Sequence, residues 1–117
     1  MDDRKAFGRA AEDETAKYLM SIGYTIVTRR FKTKHGEIDL VCLDGDIVVF
    51  VEVKARRAPG YVPEESIGQA KLDAMGRAAR SYFEKIGEFR PHRFDVVAID
   101  PSGRRHHRDI HGNRLTD

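Results

Sequence analysis

A single cysteine in 117 residues excludes two kinds of protein at once. Cys42 cannot build a disulfide framework or a cysteine-based zinc site, and in its apolar strand setting it reads as a small core residue. No apolar run approaches the roughly 18 residues of a membrane-spanning helix. The opening stretch MDDRKAFGRAAEDETAKYL is charged throughout and lacks the apolar centre of a signal peptide. The expectation is a cytoplasmic protein that makes no use of a membrane. There is also no internal repeat, low-complexity tract or linker, so residues 1–117 read as one domain. A domain of this size buries about two-thirds of its unfolded surface and needs no disulfide or structural metal.

An excess of charge of one sign is missing too. The net charge is +2, which points to no partner by itself, but the distribution is uneven. Arg29, Arg30, Lys32 and Lys34 form one basic cluster. Lys54, Arg56 and Arg57 form a second, and Arg104, Arg105, His106, His107 and Arg108 a third. Such clusters either converge into one electropositive face or remain three solvated loops.

Periodicity supplies the elements. Phe7, Ala11, Thr15, Tyr18, Leu19 and Ile22 recur at helical spacing over 4–22, with Gly23 as the expected C-cap. Residues 24–31 read as a short strand, 33–36 as a turn, and 37–43 and 47–54 as strands around Asp44-Gly45, a dipeptide suited to a two-residue type I′ hairpin. A Pro/Gly-broken loop spans 56–63. A second helix is expected over 64–86, with Ile67, Ala70, Ala74, Ala78, Tyr82 and Ile86 facing the core. An apolar strand follows at 93–100, and the tail 106–112 is a candidate edge strand. A helix between the third and fourth strands is long enough for a parallel crossover. The expected fold is α/β: an αβββαβ core with a mixed central sheet flanked by helices.

The hairpin carries the chemistry. With Asp44-Gly45 as its loop, Ile38, Leu40 and Cys42 pair with Val51, Val49 and Ile47 to make one apolar face. Strand alternation then puts Glu37, Asp39 and Val41 on the other face, against Glu52, Phe50 and Val48. Asp39 and Glu52 become diagonal neighbours, with Lys54 two residues beyond. IVVFVEV is apolar on both faces, as a central strand is, so Glu52 is expected to be buried in part. Close carboxylates in a low-dielectric site repel. Three readings follow: a structural ion pair with Arg or Lys, a solvated strand end, or a site for a hard divalent cation, which takes carboxylate oxygens. Glu12 lies on the core-facing side of the first helix, in line with Leu19, whereas Asp13 and Glu14 point away. Lys71 sits on the stripe of the second helix, where a lysine snorkels at the edge.

These motifs carry a resemblance that covers most of the chain. GEIDLV followed by VFVEVKARR resembles the YraN family of bacterial proteins, with support from GRAAEDETAKYL, PEESIGQAKLDAMGRAARSYF and RFDVVAID. That family is of the restriction-endonuclease-like, PD-(D/E)xK nuclease type, and archaeal Holliday-junction resolvases are similar in layout. The resemblance implies Asp39, Glu52 and Lys54 as the catalytic set. It implies Mg²⁺ or Mn²⁺ held by Asp39, Glu52, the Val53 carbonyl and Glu12, with Glu37 accessory at the mouth. Arg29, Arg30, Lys32, Lys34, Arg56, Arg57 and Lys71 would grip phosphates without reading sequence. The implied activity is structure-selective phosphodiester hydrolysis on DNA, with a homodimer as the working assembly. The alternative is a non-catalytic nucleic-acid-binding module or an interaction adaptor on the same fold.

Overall fold

In the computed structural model, which describes residues 3–60 and 62–110, the chain begins with helix α1 (Asp3–Ser21). Strands β1 (Thr25–Thr33), β2 (Gly36–Asp44) and β3 (Ile47–Ala55) follow. After them come a 3-10 turn (Pro63–Ser66), helix α2 (Gln69–Ile86), β4 (His92–Asp100) and β5 (Gly103–His107). The strands form one sheet in the order β1-β2-β3-β4-β5. Its pairs are antiparallel except β3 with β4, which run parallel. Parallel neighbours cannot be joined by a tight turn, and α2 supplies the crossover. The mixed α/β architecture expected from the element order is therefore present.

The hydrophobic pattern of β3 explains the layering. Val48, Val49, Phe50 and Val51 are all at most 2% exposed, so this strand is covered on both faces. On one side Leu40, Cys42, Val49 and Val51 pack with Ala16 and Leu19 of α1. On the other, Val41, Val48, Phe50 and Phe94 pack with Leu72, Met75, Tyr82 and Phe83 of α2. Each fully buried apolar side chain contributes about 1.5–3 kcal/mol, which makes the β2–β3 hairpin the most firmly held part of the sheet. Cys42 is a fully buried core residue, as its setting implied. At the end of α1 the Tyr24 amide donates to the Leu19 carbonyl (2.9 Å) and the Gly23 amide to that of Met20 (3.1 Å). With Gly23 at φ +99°, this is a Schellman stop.

Several details differ from the sequence reading. The hairpin loop is Gly45-Asp46, not Asp44-Gly45: Asp44 pairs with Ile47, Cys42 with Val49 and Leu40 with Val51. Positive φ occurs at Gly45 (+61°) and not at Asp46, the arrangement of a II′ rather than a I′ loop. The shift is two residues, an even number, so the two faces survive. Ile38 is the exception. It joins Val41 in the α2-side cluster, so strict alternation breaks between them, where Asp39 leaves the ladder.

The second helix is also interrupted. Ile67 and Gly68 are extended (ψ 104° and −175°), separating the 3-10 turn from α2. The core stripe is Leu72, Met75, Ala78, Ala79, Tyr82 and Phe83, and Ile86 is 42% exposed. A phase counted from Ile67 fails because Ile67 belongs to a different turn. In α1 the buried residues are Ala11, Thr15, Ala16 and Leu19, while Ile22 is exposed. The fifth strand exists, but it is Gly103–His107, pairing with β4 from Asp100 onward. It forms as the return arm of the Pro101–Gly103 turn. Of the expected edge strand at 106–112, residues 111–112 lie outside the described residues.

Candidate functional site

The β2–β3 ladder ends at Leu40 and Val51, one step before Asp39 would face Glu52. Instead of joining the ladder, the Asp39 carboxylate accepts the Val53 amide (Oδ2···N 2.8 Å). A side chain here replaces a backbone acceptor, so Asp39 is fixed to β3 while its other oxygen is left to the cleft. Glu52, next to Val53, is 5% exposed. Its Oε2 lies 3.2 Å from the Lys71 ammonium of α2 and 3.5 Å from that of Lys54. From α1, Glu12 reaches in half-buried. Its Oε1 accepts from Nε of Arg30 at 2.9 Å. One carboxylate oxygen from each of Glu12, Glu37 and Asp39 lies within 4.8 Å of the others.

Glu12, Asp39, Glu52, Val53 and Lys54 together line a cavity of about 720 Å³, whose rim includes Arg4, Phe7, Arg56 and Arg57. Burial pushes the Asp39 carboxyl up to about 7, the charge of Glu52 adds to the rise, and the Val53 hydrogen bond opposes it. This is the signature of a partly desolvated carboxyl beside a second acid, with the Lys71 charge offsetting only part of the rise. A carboxyl perturbed by burial and a specific charged neighbour in a cleft is a candidate functional residue.

The structure thus brings Asp39, Glu52, Lys54, Val53 and Glu12 to one cavity, with Glu37 beside Asp39. Lys71, expected to snorkel outward, points at Glu52. The basic residues divide. Arg56 and Arg57 border the cleft. Arg29 is paired with Asp13 at 2.6 Å and Arg30 with Glu12, while Lys32 and Lys34 are exposed at the β1–β2 end. The third cluster is directed at the protein's own acids. Arg104 meets Glu14, Arg105 meets Glu64 and Asp100, His106 meets Asp95, and His107 meets Glu64. Among the described residues, only the 54–57 cluster borders the cavity.

Two features had no sequence signal. Arg30 holds φ +52° in the middle of β1, an unfavourable conformation for a side chain with a Cβ, and this is the residue that holds Glu12. Phe7 lies under the Arg57 guanidinium, 4.8 Å from ring centroid to Cζ, at the cavity rim. Only long-range geometry joins these pairs.

The fold and site define a mixed α/β domain with an acid-lined cleft where its central hairpin opens. The chain belongs to the UPF0102 family, described as an uncharacterised protein family, whose model matches residues 11–99. A UPF0102 protein of Symbiobacterium thermophilum is 43% identical over 96 residues, covering 80% of this chain and 81% of the relative. One of Streptomyces griseus is 38% identical over 102 residues, covering 85% and 86%. One of Syntrophomonas wolfei is 41% identical over 97 residues, covering 81% and 84%. The matched span contains Glu12, Asp39, Glu52, Lys54 and Lys71, and leaves out Phe7. No helix among the described residues is long and apolar enough to cross a membrane.

Proposed function

We propose that this chain is a metal-dependent nuclease of the restriction-endonuclease-like type, hydrolysing phosphodiester bonds in DNA with selectivity for structure rather than sequence. One observation carries the reading: Asp39 and Glu52 are two desolvated acids in one cleft with Lys54 beside them, and burial with mutual repulsion pushes Asp39 up to about 7. The donor set fits a hard divalent cation. It is all oxygen, it includes carboxylates within 4.8 Å of one another, and it is open to a cavity. Asp39, Glu52, the Val53 carbonyl and Glu12 would hold Mg²⁺ or Mn²⁺, with Glu37 near enough to join. Such an ion, when bound, lowers the pKa of a coordinated water and offsets charge on the scissile phosphate.

The side chains do the rest. The Val53 amide holds Asp39 in orientation, which places the acid without a rotamer search. Lys54, leaning on Glu52, presents an ammonium where negative charge grows on the phosphate, and groups aimed at developing charge are the largest catalytic term in such reactions. Arg56 and Arg57 at the rim attract the backbone of the nucleic acid, which positions without specifying. A homodimer would bring two such clefts to two strands.

The second reading, a nucleic-acid-binding module without catalysis, draws on one observation. Lys71 and Lys54 both contact Glu52, so the acid is compensated without a metal. A panel of labelled duplex, single-stranded, flap and four-way-junction DNAs with Mg²⁺ or Mn²⁺ separates the two. The nuclease reading requires metal-dependent cuts that are lost in Asp39→Asn. Binding without cuts under every condition favours the module.

A further inference from the structure

The cavity is not uniform, and its two ends suit different parts of one ligand. One end holds Glu12, Asp39 and Glu52, the other Phe7 and Arg57. Glu12 and Phe7 are five residues apart on α1, about 7.5 Å along the axis at 1.5 Å per residue, and the short span between them is kept clear. Gly8 and Ala11 line it, and a Cβ placed on Gly8 would meet nothing within 4 Å. A helical glycine costs stability relative to alanine, yet here one lies on the wall of the cleft. The far end is pre-arranged as a cation–π pair. The Arg57 guanidinium lies over the Phe7 ring at 4.8 Å, and its Nη2 donates to the Asp3 carbonyl at 2.9 Å. Two anchors therefore fix the plane of a side chain that is otherwise exposed.

We infer that the cleft takes an unpaired DNA nucleotide, with its phosphate at the acid end and its base stacked on the Arg57–Phe7 pair. This rests on the nuclease reading for the phosphate end and adds the substrate's state. Unpaired bases stack on aromatic rings and on guanidinium planes alike, without regard to sequence. In an intact duplex each base face is covered by its neighbours, so a stacking platform inside a cleft is reached only by a base that is already unpaired or extruded. The volume, about 720 Å³, is within the roughly 300–1,000 Å³ of sites that enclose a small organic ligand. The substrates that meet these conditions are single-stranded segments, frayed ends and branch points, with cutting next to the unpaired position.

Binding in Ca²⁺, a hard cation that takes the same oxygen ligands, tests this apart from Mn²⁺-supported cleavage. The probe is an oligodeoxynucleotide carrying 2-aminopurine, used single-stranded and as a blunt duplex. The expected result is at least ten-fold tighter binding of the single strand, with 2-aminopurine fluorescence falling as the base stacks. Phe7→Leu, which keeps apolar bulk but removes the ring, should weaken single-strand binding about ten-fold, in line with the stacking energy of one base. It should leave duplex binding unchanged. Arg57→Lys, which keeps the charge and removes the plane, should act in the same direction. Gly8→Leu improves the helix while filling the cleft, so a loss of single-strand binding there cannot be blamed on unfolding. Equal affinity for the two forms, or single-strand binding unmoved by both Phe7→Leu and Gly8→Leu, would overturn the inference. Failure of the nuclease reading looks different: no cleavage of the same oligonucleotides when Mn²⁺ is added, whatever their binding order.

Discussion

Two acids on the strands that flank β3, Asp95 on β4 and Asp39 on β2, are treated in opposite ways. Asp95 in β4 is fully buried and fully partnered. It accepts from the Tyr24 hydroxyl at 3.1 Å, from Arg93 Nε at 3.1 Å and from the Asp109 amide at 3.1 Å, and it lies 2.8 Å from Nε2 of His106. Arg93 also donates to the Tyr24 hydroxyl and to Asp44, and the other ring nitrogen of His106 meets the Tyr18 hydroxyl. Burial alone would raise the Asp95 carboxyl, but His106, Arg93 and the Asp109 amide outweigh it and hold it below the usual carboxylate range. Asp39 has the Val53 amide and a repelling neighbour, and its carboxyl goes up. A buried charge is tolerated when its lone pairs are satisfied. Asp95 meets that condition within the protein, whereas Asp39 has only the Val53 amide. The first joins strand β5 and residue 109 to the sheet; the second fits the metal-holding role proposed above.

The widest separation between the two regions is expected on deletion. Asp95→Ala leaves Arg93 and His106 facing an empty polar site and should cost about 3–5 kcal/mol, the range for breaking a buried ion pair on one side. Chemical denaturation should show a large drop in midpoint, while Asp39→Asn stays folded. A comparable loss in both would erase the distinction.

Acidity separates them next, and the signs differ. Asp39 has a folded value of about 7 against an ordinary 3.8, so it takes up a proton on folding between those values. Its contribution is neutral below pH 3.8 and grows unfavourable as pH rises towards 7. Asp95 has a folded value below 3.8, so its contribution is present above that pH and is lost as pH falls through the folded value. Stability of Asp39→Asn relative to wild type should therefore rise between pH 4 and 7 and level off by pH 8, roughly 4 kcal/mol above its value at low pH. Equilibrium unfolding across that range checks it, and a flat difference would mean the cleft is better solvated than its burial implies.

A smaller effect is expected at Glu52. Its partners Lys54 and Lys71 keep 25% and 34% of their side-chain surface in water, so removing the acid does not strand a buried cation. Glu52→Ala should leave metal-free stability within about 1 kcal/mol of wild type, relief of repulsion offsetting the lost side chain, while abolishing metal-dependent cleavage. A loss of several kcal/mol in thermal melts would instead make Glu52 a structural partner of the lysines. The smallest change is expected at Arg30. Arg30→Asn suits the left-handed backbone and releases Glu12 from a solvent-screened ion pair. Stability should be unchanged within the error of a denaturation curve, and Mn²⁺ should bind a few-fold tighter by calorimetry.

How much of this was legible in the sequence follows from which interactions are local. Alternation along β2 and β3 separates Leu40, Cys42, Val49 and Val51 from Val41, Val48 and Phe50, and a two-residue error in register leaves that separation intact. The error arose because Asp-Gly and Gly-Asp both suit a two-residue hairpin loop, and only the positive φ at Gly45 decides between them. Glu52 and Lys54 are legible as a pair because they sit two apart on one strand. Glu12 is legible as an acid on a core-facing stripe. Its partner Arg30 is not, because the pair depends on how α1 lies across the sheet. Asp95 gave no warning at all. It reads as one polar residue in an apolar strand, and its partners Tyr24 and His106 are 71 and 11 positions away.

The most direct test of the central claim, that the cleft is completed by a divalent cation, is the melting temperature of wild type and Asp39→Asn at pH 8 with and without Mn²⁺. At about a hundred times its dissociation constant, an ion bound only by the folded state adds about 2.7 kcal/mol, which should raise the wild-type midpoint by several degrees and leave Asp39→Asn unmoved. A wild-type midpoint indifferent to Mn²⁺, or a rise of equal size in Asp39→Asn, would contradict it.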